Sequence, residues 1–297
     1  SSDLRFFGFS KEPLYASIIG NVINFCLNAF FLFVLHKGVA GVATATVISR
    51  IINLVIVVLL GAVLVKAKQH PERESNRAVM GQIIRIGLPS ACETAIYNVS
   101  MTLVIRFLNQ MDAQGLNVTA RSYTMQITNF SYCVGAALAQ ANAIMTGWHI
   151  GAKEYDACDR ETKKAAVIGV IVAVILETVF TLCSGWIMQL FSKDPQMVSL
   201  VGKLLAIDIV LEIGRVTNLV YGQALKTSGD AVFPVVMGAC FMILCSVGGT
   251  YLFGIRLGLL AVGAYIGMTG DECVRAVGMY LRWKSGKWKE KGLVKSR

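Results

Sequence analysis

Asp208, Glu212 and Arg215 follow one another at spacings of four and three residues inside an otherwise apolar run, with Asn218 three residues further on. If the run is helical, that spacing places all of them on one face. Two carboxylates and one guanidinium leave a net negative face able to take up a proton or a cation. The same spacing also suits a Glu212–Arg215 pair that only cross-links helices. A second acidic position is Glu93, in IGLPSACETAIYN, with no Arg or Lys within four residues and with Tyr97 and Ser100 at i+4 and i+7. A carboxylate so placed is a candidate to bind and release a proton. A hydrogen-bonded carboxyl that never releases its proton is the alternative.

Other polar positions carry less. Ser122, Gln126, Asn129, Cys133, Ala136 and Gln140 recur at spacings of 4, 3, 4, 3 and 4, with Tyr123, Tyr132 and Asn142 beside them. A stripe of small and polar residues lines either a wet cavity or a helix–helix contact. The candidate cavity residues are therefore Tyr97, Gln126, Asn129, Tyr132 and Asn218. Glu177 stands alone among Val, Ile and Leu, Asp271 and Arg275 form an i, i+4 pair, and Arg50 has no local partner. Arg106, Arg121 and Lys203 fall near helix ends, where long basic side chains snorkel. The eight cysteines include no CxxC, and His36, His70 and His149 are dispersed. That pattern speaks against a zinc site or a disulfide framework. No metal or organic cofactor is expected, only a coupling proton or Na⁺.

These residues need elements to hold them, and eight long apolar stretches supply those. They run over 13–35, 39–65, 83–108, 116–147, 165–191, 199–225, 231–255 and 257–282. Each is long enough for a helix to cross a bilayer, which takes about 20 residues. A charge at the centre of such a helix costs about 2.5–3.5 kcal/mol, so the acids above need a reason to be there. The connecting segments divide by charge. Alternate connections and both ends hold 19 Lys and Arg, and the other set holds only Lys37, Lys193 and Arg256. Basic loops face the cytoplasm, so the pattern predicts eight transmembrane helices with both termini cytoplasmic.

Composition agrees: the chain is 55% hydrophobic and 15% charged, with mean hydropathy +0.60. The net charge of +10 belongs to loops that meet anionic lipid and set topology, not to a nucleic-acid surface. The first stretch is too long for a signal peptide and has no cleavage pattern. The expected class is an all-α polytopic membrane helix bundle.

An internal repeat organises the stretches. Gly8 precedes Pro13 by five residues and Gly229 precedes Pro234 by five; Gly38 follows Pro13 by 25 and Gly258 follows Pro234 by 24. Each copy reads as Gly, Pro, membrane helix, outer turn at Gly, second helix. Internal duplication is a common construction of secondary transporters. The unit would then be six helices. Residues 1–65 form the last two helices of one lobe, 66–82 a charged cytoplasmic linker, 83–282 a complete second lobe and 283–297 a basic tail. On this reading four helices precede Ser1.

Residues 13–50, PLYASIIGNVINFCLNAFFLFVLHKGVAGVATATVISR, resemble the fifth and sixth helices of multidrug and toxic compound extrusion (MATE) transporters. GLPSACETAIYNVSMTLVIRF (87–107) is similar to the start of their second lobe. GWHIGA (147–152), EIGRVTN (212–218), ALKTSGDAVFP (224–234) and RWKSGKW (282–288) also fit. Asn28 stands where many members have Asp, and FFGFSKEP replaces the commoner G-D-x-x-x-P. The resemblance implies twelve helices in two lobes and export of small organic compounds, often cationic, on a proton or sodium gradient. It places acidic coupling residues on the first and fourth helices of the second lobe, where Glu93, Asp208 and Glu212 fall. The expectation is therefore a monomeric, cation-coupled antiporter of the plasma (inner) membrane, bound to lipid and to a small organic substrate, with no nucleic-acid partner and no enzymatic activity. A flippase of lipid-linked precursors is the rival; the mid-membrane excess of six acids over three bases suits it less. A non-transporting membrane fragment is a third reading.

Overall fold

A computed structural model describes the backbone of residues 11–66, 76–111 and 115–290, and the side chains of these except Pro13, 62–86, Pro89, Ser90 and Glu290. Gly8, linker residues 67–75 and tail residues 291–297 lie outside the described residues. The described chain is helical: α1 (Lys11–Ala29, continued by a π-helical turn Phe30–Val34), α2 (Gly38–Lys66), α3 (Asn76–Met111), α4 (Leu116–Gly151), α5 (Tyr155–Leu182), a short α6 (Ser184–Met188), α7 (Pro195–Thr227), α8 (Val232–Phe241, running on through π-helical stretches Met242–Val247 and Thr250–Arg256), α9 (Leu260–Lys284) and a 3₁₀ turn at Lys287–Glu290. Eight long helices thus fall on the eight apolar stretches. Many of their ends overrun the apolar limits, because helical hydrogen bonding continues into the polar termini, whereas α5 stops at Leu182, short of 191, and the apolar run continues into the short α6. At α7 the Asp194 side chain accepts from the Gln196 N–H at 3.0 Å, with Pro195 in the first turn, so the helix starts four residues ahead of its apolar run.

Among the described residues, four spans are long and apolar enough to cross a membrane by length and composition alone: Leu14–Val34, Gly38–Gly61, Tyr155–Leu182 and Val232–Arg256. The other four long helices, α3, α4, α7 and α9, carry most of the intramembrane charges, with Glu177 on α5 and Arg50 on α2 besides. The chain divides into two compact units, Ser1–Asn76 and Arg77–Arg297.

In the first unit α1 packs on α2. Asn28 donates to Asn24 Oδ1 at 3.1 Å, and Asn24 donates to Ser49 Oγ at 2.9 Å across the pair. In the second unit α7 is the central helix and packs against α4, α5 and α9. Its approach to α9 is set by Gly214, where a Cβ would lie 2.9 Å from the backbone of Glu272 and of Cys273. Leu204, Leu205, Leu211, Tyr265 and Met188 fill one apolar core, and Val216, Val220, Leu225, Met279, Trp283 and Trp288 fill another.

The repeat is visible in the backbone, in a register that differs from spacing alone. Pro13 and Pro234 are each the third residue of their helix. Leu35 N–H donates to Phe30 O and Leu257 N–H to Leu252 O, at 3.1 and 3.0 Å. Lys37 pairs with Phe31 and Leu259 with Phe253, both at 3.1 Å. Positive φ occurs at His36 (50°) and Gly38 (53°) in one turn, and at Gly258 (68°) and Leu260 (52°) in the other. Gly258 therefore corresponds to His36, and Gly38 to Leu260. The two glycines were expected to match; both turns need two left-handed residues, and each copy supplies glycine at a different one.

Candidate functional site

The second unit encloses a cavity of about 640 Å³, lined from α3, α4, α7, α8 and α9. Its charged lining is four acids (Glu93, Asp208, Asp271, Glu272) and four bases (Arg121, Arg215, Lys226, Arg275). Sequence spacing brought Asp208, Glu212 and Arg215 to one face, and the structure extends them into a network. Arg215 Nη1 donates to Glu212 Oε2 at 2.7 Å, and its Nε lies 3.8 Å from Glu272 Oε1. Its guanidinium sits 5.9 Å from the Tyr132 ring centroid. Arg275 Nη2 lies 2.9 Å from Glu272 Oε1 and donates to Asp271 Oδ2 at 3.0 Å. Ser246 Oγ donates to the same Asp271 oxygen, and Asn218 Nδ2 donates to Glu272 Oε2, each at 3.0 Å. Asp271 and Arg275 are thus more than a local i, i+4 pair: through Glu272 they join α9 to the α7 cluster.

Glu93 is not the isolated carboxylate its sequence neighbours suggest. Lys226 Nζ lies 2.6 Å from Glu93 Oε2, across 133 residues of chain. Lys226 is one of the 19 basic residues assigned above to the cytoplasmic connections and ends; it occupies the last turn of α7 and lines the cavity. Tyr97, Asn129, Tyr132 and Asn218 also line it. Gln126 does not: it is exposed on α4, as are Ser122, Cys133 and Gln140. The face that α4 buries runs through Thr124, Thr128, Ser131, Gly135, Ala139 and Asn142, two residues on from the expected stripe and so roughly opposite it on the helix. The chosen stripe and the buried one are equally periodic, so spacing could not separate them. Arg121 was expected to snorkel at a helix end. It is 6% exposed and points into the cavity.

Behind the cavity lies a further acid. Glu177 on α5 is fully buried and neither of its carboxyl oxygens has a hydrogen-bond partner among the described residues. Asp208, Glu212 and Arg215 are within its electrostatic reach, and Ser131 lies beside it. Glu212 is also fully buried; one of its oxygens, and one of Asp208, lack described partners. Sequence gave Glu177 little weight because it is alone on its helix. Its partners come from α7. Among the described residues no three His, Cys, Asp or Glu side chains converge closely enough to hold a metal ion.

The MatE family model matches residues 89–252, which carry most of this network. The chain belongs to the MatE family. The transporter YisQ of Bacillus subtilis is 33% identical over 99% of this chain and 66% of its own length. The probable multidrug resistance protein NorM of Thermotoga maritima is 22% identical over 99% of this chain and 64% of its own. Among solved structures, the eukaryotic MATE transporter AtDTX14 superposes with TM-score 0.84 at 19% identity, covering 94% of this chain and 63% of that one. The chain therefore spans slightly less than two thirds of these relatives. With four described helices long and apolar enough to cross a membrane, this MatE protein is a multi-pass membrane protein.

Proposed function

We propose that this protein is a secondary transporter that exports small organic compounds in exchange for protons. The observation that carries the reading is the cavity in the second unit, with incompletely partnered acids at and behind its wall: Asp208 and Glu177 make no ion pair with a described residue, and Glu212 keeps one buried oxygen without a described partner beside its contact to Arg215. Asp208 lines the cavity, and Glu212 and Glu177 stand behind it. Intramembrane acids are costly and mark ion pathways. Arg215, Glu272 and the other two carboxylates act on Asp208, so a proton arriving at one alters its hold on the rest. The described acids do not converge on a single metal-binding point, which favours a proton over Na⁺ as the coupling ion. The names of the NorM relatives, as multidrug resistance proteins, favour a drug-like substrate.

The remaining roles follow from this reading. Arg215 holds Glu212 and Glu272, so it positions the cluster. The Glu93–Lys226 pair closes one side of the cavity, where a substrate or proton can open it. Residues 1–65 and 83–282 belong to different lobes, both described chain ends face the cytoplasm by their basic charge, and the protein works as a monomer in the plasma membrane. A pyrophosphate headgroup finds little free positive charge here, because three of the four cavity bases, Arg215, Lys226 and Arg275, are each tied to a carboxylate and only Arg121 is left. The test is export from proteoliposomes under imposed gradients. A pH gradient should drive substrate movement with sodium absent. Movement driven only by a sodium gradient would overturn the proton assignment, and movement under neither would overturn the transporter reading.

A further inference from the structure

The charges in the cavity are unevenly satisfied. Three of its four bases contact carboxylates at 2.6–3.0 Å. Arg121 is the exception among the described residues. Its one described polar contact is from Nη2 to the Met101 sulfur at 3.5 Å, and its Nε is buried without a partner. A thioether is a weak acceptor. A guanidinium held 6% exposed against so poor a partner is costly to bury, and it lines an open cavity rather than a packed core. Its planar fork of donors matches a carboxylate or a phosphate in geometry as well as charge. The acids show the mirror image. Glu93, Asp271 and Glu272 are each paired with a base, and Asp208, 2% exposed, makes no ion pair with a described residue. Tyr265 lies within electrostatic reach of both Asp208 and Arg121, so the two unpaired and opposite charges share one part of the wall.

We propose that Arg121 is an anion-recognition subsite, and that the cavity takes amphoteric organic molecules whose carboxylate or other acidic group seats on Arg121 while their cationic group faces Asp208. This rests on the reading of the cavity as a substrate site. It also suits exchange: a proton on Asp208 removes the charge that holds the substrate's cationic end, so proton and substrate compete. The charged groups around that acid are Arg215, Glu272, Glu177 and Glu212.

The test uses rhodamine B, which carries a free carboxylate and a delocalised cation, and its ethyl ester, which carries the cation alone. Binding is read by fluorescence polarisation with the protein in phosphatidylcholine nanodiscs. A charge-assisted bidentate contact predicts that the native protein binds the acid about tenfold or more tightly than the ester. Arg121→Gln should erase that preference and leave ester affinity unchanged, which also shows that the variant is folded. Arg121→Lys should keep part of it. Equal binding of the two dyes by the native protein, or a preference that survives Arg121→Gln, overturns the subsite while leaving the cavity reading intact. Binding of neither dye overturns both. Should Arg121→Gln lose both dyes, Arg121→Lys decides, and equal binding of acid and ester by that variant overturns the subsite. Nanodiscs containing phosphatidylglycerol separate the remaining source of an anion: loss of the acid preference there means that a lipid headgroup occupies Arg121, which also overturns the assignment to a soluble substrate.

Discussion

Arg215→Met should be the most damaging single change in the cluster, and the damage should be largely undone by Glu212→Gln. Glu212 is fully buried, one of its oxygens has no partner among the described residues, and the other is held by Arg215 at 2.7 Å. Removing the guanidinium leaves a buried carboxylate with no described partner, which costs about 3–5 kcal/mol. The same change frees Glu272 only in part, since Arg275 and Asn218 still hold it. At roughly 2–4 °C per kcal/mol for a domain of about 200 residues, the unfolding midpoint should fall on the order of 10 °C. In the double variant Glu212→Gln with Arg215→Met no charge is stranded. The two changes should then be non-additive by about 2 kcal/mol, within the range for residues in direct contact. Thermal unfolding of the four proteins in detergent, followed by intrinsic fluorescence, closes the cycle. Strict additivity would refute the claim that Arg215 exists to satisfy Glu212, and with it the cluster as a unit.

Three further outcomes follow from the same geometry. Glu93→Gln and Lys226→Met should each slow export by about tenfold or more, and exchanging the two residues should recover much of it because the pair spans two helices; rates in proteoliposomes decide, and an inactive exchange paired with active singles contradicts the pairing. Gly214→Val should destabilise by about 1–3 kcal/mol or more, because a side chain there meets the α9 backbone at 2.9 Å; unchanged thermal stability would mean that α7 and α9 are not so closely packed. Asp230→Ala strands Arg282, its partner at 2.6 Å, beside the stacked Trp283 and Trp288 and should cost about 2–4 kcal/mol, with protease sensitivity rising first near the basic tail.

Hydrophobic run length and alternation of basic charge made the eight helices legible, because a bilayer imposes both on the chain. The grouping of Asp208, Glu212 and Arg215 was legible because their contacts are local to one helix. What stayed hidden is what other helices contribute. Nothing near Glu93 announces Lys226, and nothing near Glu177 announces that α7 brings two carboxylates beside it. The face of α4 that turns inward could not be chosen from spacing, so Gln126 was favoured where Thr128 and Arg121 line the cavity. Helix-end position made Arg121 look dispensable, yet the cavity of the second unit reaches that far along α4. The turn register slipped by two residues because glycine marks left-handed backbone only where an alternative residue does not bear it.

The central claim is that acids in and behind the second-unit cavity carry the proton that drives export. Asp208→Asn removes the titratable group of the one cavity-lining acid that makes no ion pair with a described residue, while conserving its size. The decisive measurement is substrate flux in proteoliposomes, with and without a pH gradient, alongside binding of the same substrate to the same preparation. The account predicts that Asp208→Asn still binds a substrate at the cavity, more weakly where the cationic group is concerned, and that its flux no longer responds to the gradient. A gradient-driven flux equal to that of the native protein would contradict it.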